Sequence, residues 1–246
     1  MPKFGDTSEL QTHKTGNFAF SAAKIENLGA SEYTLATIVA DRSGSTSGFQ
    51  NDMENALKEI VKALQLSPRA DNLLLRFVSF DNNLLEVHGF KLLQDCQQDD
   101  YANTLSPGGS TALFDSTLNG IEATVNYGKQ LTDQDFDCNG ILFVVTDGCD
   151  NCSTFGKPQV KDALAKIVSS EVLESMLSIL IGVNITDTYV ARELDTFNRE
   201  AGFSQYVELK DADKSTLAKL AKFVSQSISS QSQALGTGAP SKSLNF

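Results

Sequence analysis

The chain has 246 residues, which suits one large α/β domain, and 41% of them are apolar, enough for a substantial core. It carries 31 acidic and 20 basic residues, a formal net charge of -11. That balance argues against nucleic-acid binding, where Lys and Arg on phosphate supply most of the affinity, and no apolar run approaches the roughly 20 residues that span a bilayer.

Residues 1–32 are polar and weakly periodic, with Asn17-Phe18-Ala19-Phe20 as their one apolar patch. They read as an extension that either docks on the domain or binds a partner. They lack the apolar stretch of a secretory signal, so the expected compartment is the cytoplasm. Cys96, Cys138, Cys149 and Cys152 are then expected to be free.

Thr34–Ala40 is a near-continuous apolar run, the mark of a strand covered on both faces. Phe49, Met53, Ala56, Leu57, Ile60, Val61 and Leu64 recur at helical spacing. LLLRFVSF (73–80) predicts a second strand, DNN (81–83) a turn, and LLEVHGF (84–90) the return strand of a hairpin. After a polar loop at 91–104, Pro107-Gly108-Gly109 opens another, and Thr111–Tyr127 predicts a helix. Strands at 140–147, 176–183 and 204–209 then alternate with helices at 159–174, 190–201 and 214–228.

This alternation predicts a doubly wound, Rossmann-like α/β three-layer sandwich. Its sheet is expected to be mostly parallel and six-stranded, with the hairpin as one antiparallel edge strand. The domain is expected over residues 33–230, with the Ser-, Gly- and Pro-rich residues 231–246 as an exposed, flexible tail.

The first strand ends in ADRSGSTSG (40–48), one carboxylate among small hydroxyls. A serine nucleophile, a phosphate cradle and a cation site are the three chemistries that fit. The nucleophile lacks a base, because the only histidines are His13 in the extension and His88 in the hairpin, and the G-x-S-x-G elbow would place Thr46 at its centre. The cradle lacks G-x-x-x-x-G-K-[ST]. In an open parallel sheet, ligands sit beyond the carboxyl ends of the strands. Asp147 ends a second buried strand, and PGGSTAL can reach the same rim. Asp41, Ser43, Ser45, Thr111 and Asp147 then form an all-oxygen set suited to a hard cation such as Mg²⁺.

These loops resemble a known family. Asp41-Arg42-Ser43-Gly44-Ser45 matches the DxSxS signature of von Willebrand factor type A domains, Gly109-Ser110-Thr111-Ala112-Leu113 is similar to their threonine loop, and Thr146-Asp147-Gly148 to their TDG segment. Together these mark that family's metal-ion-dependent adhesion site, and the resemblance covers roughly residues 33 to 230. SPRADNLLLRFVSF and KFVSQSISSQSQ look more like the bacterial cytoplasmic branch, including tellurium-resistance-associated members, than like integrins.

The resemblance implies Mg²⁺, with Mn²⁺ or Ca²⁺ as alternatives, held by Ser43, Ser45 and Thr111, with Asp41 and Asp147 binding directly or through water. It implies a Glu or Asp from a protein partner completing the coordination, no catalysis by the domain, and for bacterial members a MoxR-type AAA+ ATPase nearby. A metal-assisted hydrolase on the same loops and a metal-independent scaffold are the alternative functions. Cys149-x-x-Cys152 lacks the further ligands a zinc site needs; it is read as two free thiols, with a redox switch as the alternative. Asp115 and Asp150 are either supports of the site or ordinary caps, and the acidic run 94–100 is a solvated loop in preference to a second cation site.

Overall fold

The computed structural model of the chain describes residues 10–170 and 172–246. The first nine residues of the expected extension, and Glu171 in the expected helix 159–174, lie outside the described residues. The strands are β1 (Leu10–Lys14), β2 (Ala19–Ala23), β3 (Glu32–Asp41), β4 (Leu73–Phe80), β5 (Leu84–Leu92), β6 (Asp137–Thr146), β7 (Met176–Gly182) and β8 (Gln205–Glu208). The helices are α1 (Gln50–Gln65), α2 (Leu113–Thr132), α3 (Lys157–Ser170), α4 (Thr188–Ala201) and α5 (Lys214–Thr237).

All the strands join one sheet in the order β1-β2-β5-β4-β3-β6-β7-β8. Strands β4, β3, β6, β7 and β8 run parallel. β5 is antiparallel to β4, β2 runs parallel to β5, and β1 returns antiparallel to β2. The expected six-stranded sheet with one antiparallel edge strand is thus corrected to eight strands of mixed direction, and β5 is not an edge.

The central strands are apolar throughout because both faces are covered. Ala36, Ile38 and Ala40 of β3 pack with Leu57, Ile60 and Leu64 of α1 and Leu220 and Val224 of α5. Val39 points the other way and packs with Leu118 and Ile121 of α2. The same alternation runs along β6, where Phe143 joins the first cluster and Val144 the second.

The two added strands come from the extension. LQTHK has a weak strand signal, and Ala19–Ala23 contains one large apolar side chain, so neither stretch shows its pairing locally. What seats them is β5 and α2. Phe20 is buried edge-on to Phe90 and Tyr127. The Tyr127 hydroxyl donates to the Ala23 carbonyl (2.8 Å), and the Ser21 amide donates to Glu86 Oε1 (2.8 Å). The approach is close enough that a Cβ on Gly89 would lie 2.0 Å from the Ser21 carbonyl oxygen. Gly89→Ala should therefore cost about 1–3 kcal/mol through forced displacement of β2, read as a lowered urea midpoint; an unchanged midpoint would show that β2 does not depend on this contact.

Helix α5 continues to Thr237, beyond both the expected helix end at 228 and the expected domain end at 230. Its later turns look like linker because they are rich in Ser and Gln, yet Ile228, Gln231, Ser232 and Leu235 keep helical spacing and are buried. Gln231 ties this turn to the sheet: Nε2 donates to the Gly140 carbonyl (3.1 Å) and to Ser175 Oγ (3.0 Å), and its backbone carbonyl accepts from Asn139 Nδ2 (2.8 Å). Beyond the helix, Leu244 and Phe246 still touch the domain, through Gln205 and Phe223 respectively. Among the described residues, no helix is long and apolar enough to cross a membrane.

Candidate metal centre

Neighbouring strands β3 and β6 end together at the carboxyl rim of the sheet. Asp41 closes β3 and Asp147 follows β6, so topology alone brings the two carboxylates to one place. Past Asp41 the chain turns tightly through a 3₁₀ segment, Gly44–Gly48, before entering α1.

Asp41 anchors this turn. Its Oδ1 accepts from the Ser43 amide (2.7 Å), and its Oδ2 accepts from Thr146 Oγ1 (2.6 Å), tying the serine loop to the end of β6. The Ser43 and Ser45 hydroxyls lie 3.1 Å apart, and Ser45 Oγ donates to Asp147 Oδ1 (2.8 Å). Asp41, Ser43 and Thr111 are buried, whereas Ser45 is exposed, so the cluster opens outward at Ser45.

The threonine loop lies against the serine loop. The Gly108 amide donates to the Arg42 carbonyl (3.0 Å), and the Gly44 amide donates to the Gly109 carbonyl (3.4 Å). Gly109 sits at φ +69°, a backbone region that favours glycine. Among the described residues the Thr111 hydroxyl makes no hydrogen bond, while its amide donates to Asn151 Oδ1 (2.8 Å). The structure thus joins Asp41, Ser43, Ser45 and Asp147 through direct contacts and brings the Thr111 loop alongside them.

The electrostatics favour a cation. Burial raises the Asp41 carboxyl to about 6; hydrogen bonds from Thr146 and Ser43 oppose the shift, and the nearby Asp147 charge adds to it. Burial raises Asp147 as well, against the Ser45 hydrogen bond. Arg42, next to Asp41 in sequence, is engaged elsewhere, since its guanidinium pairs with Asp81 at 3.0 Å. Among the described residues neither Asp41 nor Asp147 has a basic partner. No group of three or more His, Cys, Asp and Glu side chains that could hold a metal occurs among the described residues. The donor set is instead two carboxylates with neighbouring hydroxyls, which fits a hard divalent ion better than a soft one.

Further residues surround the cluster, of which Asp81 was not singled out from sequence. Thr146 bridges Asp41 and the Gly148 carbonyl (3.0 Å). Asp81 follows a third parallel strand, β4, and its carbonyl accepts from the Ala112 amide (2.8 Å), which steadies the threonine loop. Its signal was present, an apolar strand ending in Asp, but the following Asn-Asn marked a turn. Asp150 caps α2 by accepting the Phe114 amide, whereas Asp115 accepts the Thr154 and Phe155 amides of the loop before α3.

The remaining candidates lie elsewhere or are otherwise engaged. Cys149 is half-buried and Cys152 exposed; both thiols are free and pushed up, by burial first and by neighbouring acids. His88 is buried on β5 between Tyr101 Oη (2.8 Å from Nε2) and the Gly89 carbonyl (2.9 Å from Nδ1), and burial lowers it to about 4. His13 stacks on Phe20. In the acidic run 94–100, Asp100 pairs with Lys91 and accepts the Gln97 amide. A 710 Å³ cavity opens at the amino ends of β6 and β7, and no residue of the carboxylate cluster lines it.

No protein-family model matches the chain, and no curated protein matches it in sequence. Its architecture is similar to that of several solved structures. The PilB minor pilin from Streptococcus sanguinis aligns with a TM-score of 0.59 at 14% identity, over 89% of this chain and 66% of the pilin, so this chain spans just under two thirds of it. Proximal thread matrix protein 1 from the mussel byssus, in a structure with a zinc-occupied MIDAS motif, aligns at 0.55 and 17% identity over 79% of this chain and 48% of that one. The vWF domain of the type V pili tip protein Mfa5 from Porphyromonas gingivalis aligns at 0.53 and 11% identity, over 88% of this chain and 99% of that domain. At these identities the likeness establishes the fold, which is von Willebrand factor A-like.

Proposed function

We propose that the chain is a divalent-cation-dependent protein-binding module. Asp41, Ser43, Ser45, Thr111 and Asp147 would hold the ion, Mg²⁺ in the first instance, and a Glu or Asp of a partner protein would complete the site. The observation that carries this reading is the contact of Ser45 Oγ with Asp147 Oδ1 (2.8 Å) beside the Asp41–Thr146 bond (2.6 Å), which gathers two carboxylates without a basic partner at one open rim. The zinc-occupied MIDAS of the byssus protein supports a divalent ion on this fold.

Bound there, the ion would supply a Lewis-acidic point charge that accepts a carboxylate oxygen. Asp41 keeps Ser43 in place through its amide and links the serine loop to β6. Ser43 and Ser45 contribute neutral oxygens, so the residues of the rim add little charge beyond the two aspartates. The net charge of -11 opposes an acidic partner only weakly at distance, because the Debye length in physiological salt is ~8 Å. The proposal keeps the cytoplasm as the compartment, where the four free cysteines would stay reduced.

Mg²⁺ at about 100 times its dissociation constant should stabilise the protein by about 2.7 kcal/mol. The shift is read by thermal unfolding with Mg²⁺ and with EDTA, alongside partner capture under both conditions. Identical unfolding curves and a partner set unaffected by chelation would assign binding to another surface.

A further inference from the structure

Helix α2 follows Thr111 by one residue but has no side-chain cap of its own at Ala112. Its first amides are met by the loop after β6, some 40 residues later. The Phe114 amide donates to Asp150 Oδ1 (3.2 Å) and Ser153 Oγ (3.1 Å), and the Asp115 amide donates to Ser153 Oγ (3.1 Å). In return the Asp115 carboxylate accepts from the Thr154 (2.9 Å) and Phe155 (2.8 Å) amides. Within this seam one residue deals with Thr111 itself. The Thr111 amide donates to Asn151 Oδ1 (2.8 Å), and the Asn151 amide donates to the Thr111 carbonyl (3.0 Å). Both backbone polar groups of Thr111 therefore end on a single partner, whose side chain is otherwise exposed.

We propose that Asn151 is a positioning residue: it fixes the peptide of Thr111 to the loop that carries Asp147, so that the hydroxyl arm and the carboxylate arm of the candidate centre hold one geometry. The inference rests on the metal-binding reading of Thr111. A residue four positions after Asp147 clamps the arm forty positions before it, and residues in this supporting role commonly change metal affinity by about 10–100-fold when removed. Among the described residues Asn151 makes no hydrogen bond to Asp41, Ser43 or Ser45, so the effect is expected to pass through Thr111.

The test compares wild type, Asn151→Ala and Asn151→Asp in two measurements. Amide hydrogen exchange at Thr111, followed by NMR in metal-free buffer, reports the clamp directly. Titration calorimetry with Mg²⁺ and with Mn²⁺ reports its consequence. Asn151→Ala should speed Thr111 exchange about tenfold, the equivalent of one ordinary hydrogen bond, and weaken cation affinity about tenfold or more. Asn151→Asp keeps the acceptor oxygen and should restore the slow exchange. Unchanged Thr111 exchange in Asn151→Ala, or faster exchange with unchanged affinity, would overturn the proposal. A wild-type protein that takes up neither ion would remove the metal-binding reading, and with it the positioning role, while the exchange data would still show whether Asn151 clamps Thr111.

Discussion

Replacing Asp41 with alanine should lower Mg²⁺ affinity by on the order of 100-fold or more, the upper end of what lost ligand support causes. Asp41 does two jobs that no neighbour can take over. Its Oδ1 fixes the amide of Ser43, and its Oδ2 accepts the hydroxyl of Thr146 on the adjacent strand. Removing the carboxylate deletes one of two formal charges and at the same time frees the serine loop from β6. Titration calorimetry on both proteins checks this. Equal heats for wild type and Asp41→Ala would end the case for a cation at this rim.

Glu86→Ala should destabilise the fold by about 3–5 kcal/mol, the usual cost of stranding a buried charge. Arg76 is 1% exposed on β4. Its Nε donates to Glu86 Oε2 (2.8 Å), and Nη2 donates to Asn119 Oδ1 (2.9 Å). Burial lowers the guanidinium pKa, and Glu86 opposes that shift. The other carboxylate oxygen of Glu86 accepts the Ser21 amide and hydroxyl, so one side chain both neutralises the interior and seats β2. The double change Arg76→Met with Glu86→Leu should recover the ion-pair part, because a well-packed apolar pair often replaces a buried ion pair at little cost. It should not recover the Ser21 part. Urea unfolding of the three proteins separates the two contributions; a loss below about 1 kcal/mol in Glu86→Ala would mean that the Arg76 charge is satisfied without it.

What could be read from the sequence, and what could not, follows the range of the interactions. Strands β3 and β6 were legible because covering both faces demands unbroken apolar runs, and their terminal aspartates stood out against those runs. The serine turn was legible because residues two apart around a glycine carry a local pattern. β1 and β2 were not legible, since their pairing is written in β5, Glu86 and Tyr127 and not in LQTHK or AFSAA. The expected start of α2 at Thr111 moved to Leu113 because its capping groups lie in another loop. The later turns of α5 were read as a tail because Ser and Gln suggest solvent, whereas here Asn139, Gly140 and Ser175 pair with Gln231. Thr146 stood in the TDG segment, but its bond to Asp41 spans 105 residues, and the links of Asn151 to Thr111 and of Asp81 to Ala112 span 40 and 31, distances at which composition carries no signal.

The bonds that tie the serine turn to the end of β6 also constrain the order of folding. The serine turn, complete in sequence by residue 48, finds Thr146 only after a separation of 105 residues and Asp147 after 102. Contacts of such separation form late, because the closure entropy of the intervening loop comes before any gain. During synthesis, α1 and the β4–β5 hairpin can therefore assemble while the rim is still open chain. The two carboxylates meet only when β6 pairs with β3. Assembly of the hydrophobic core thus precedes completion of the rim.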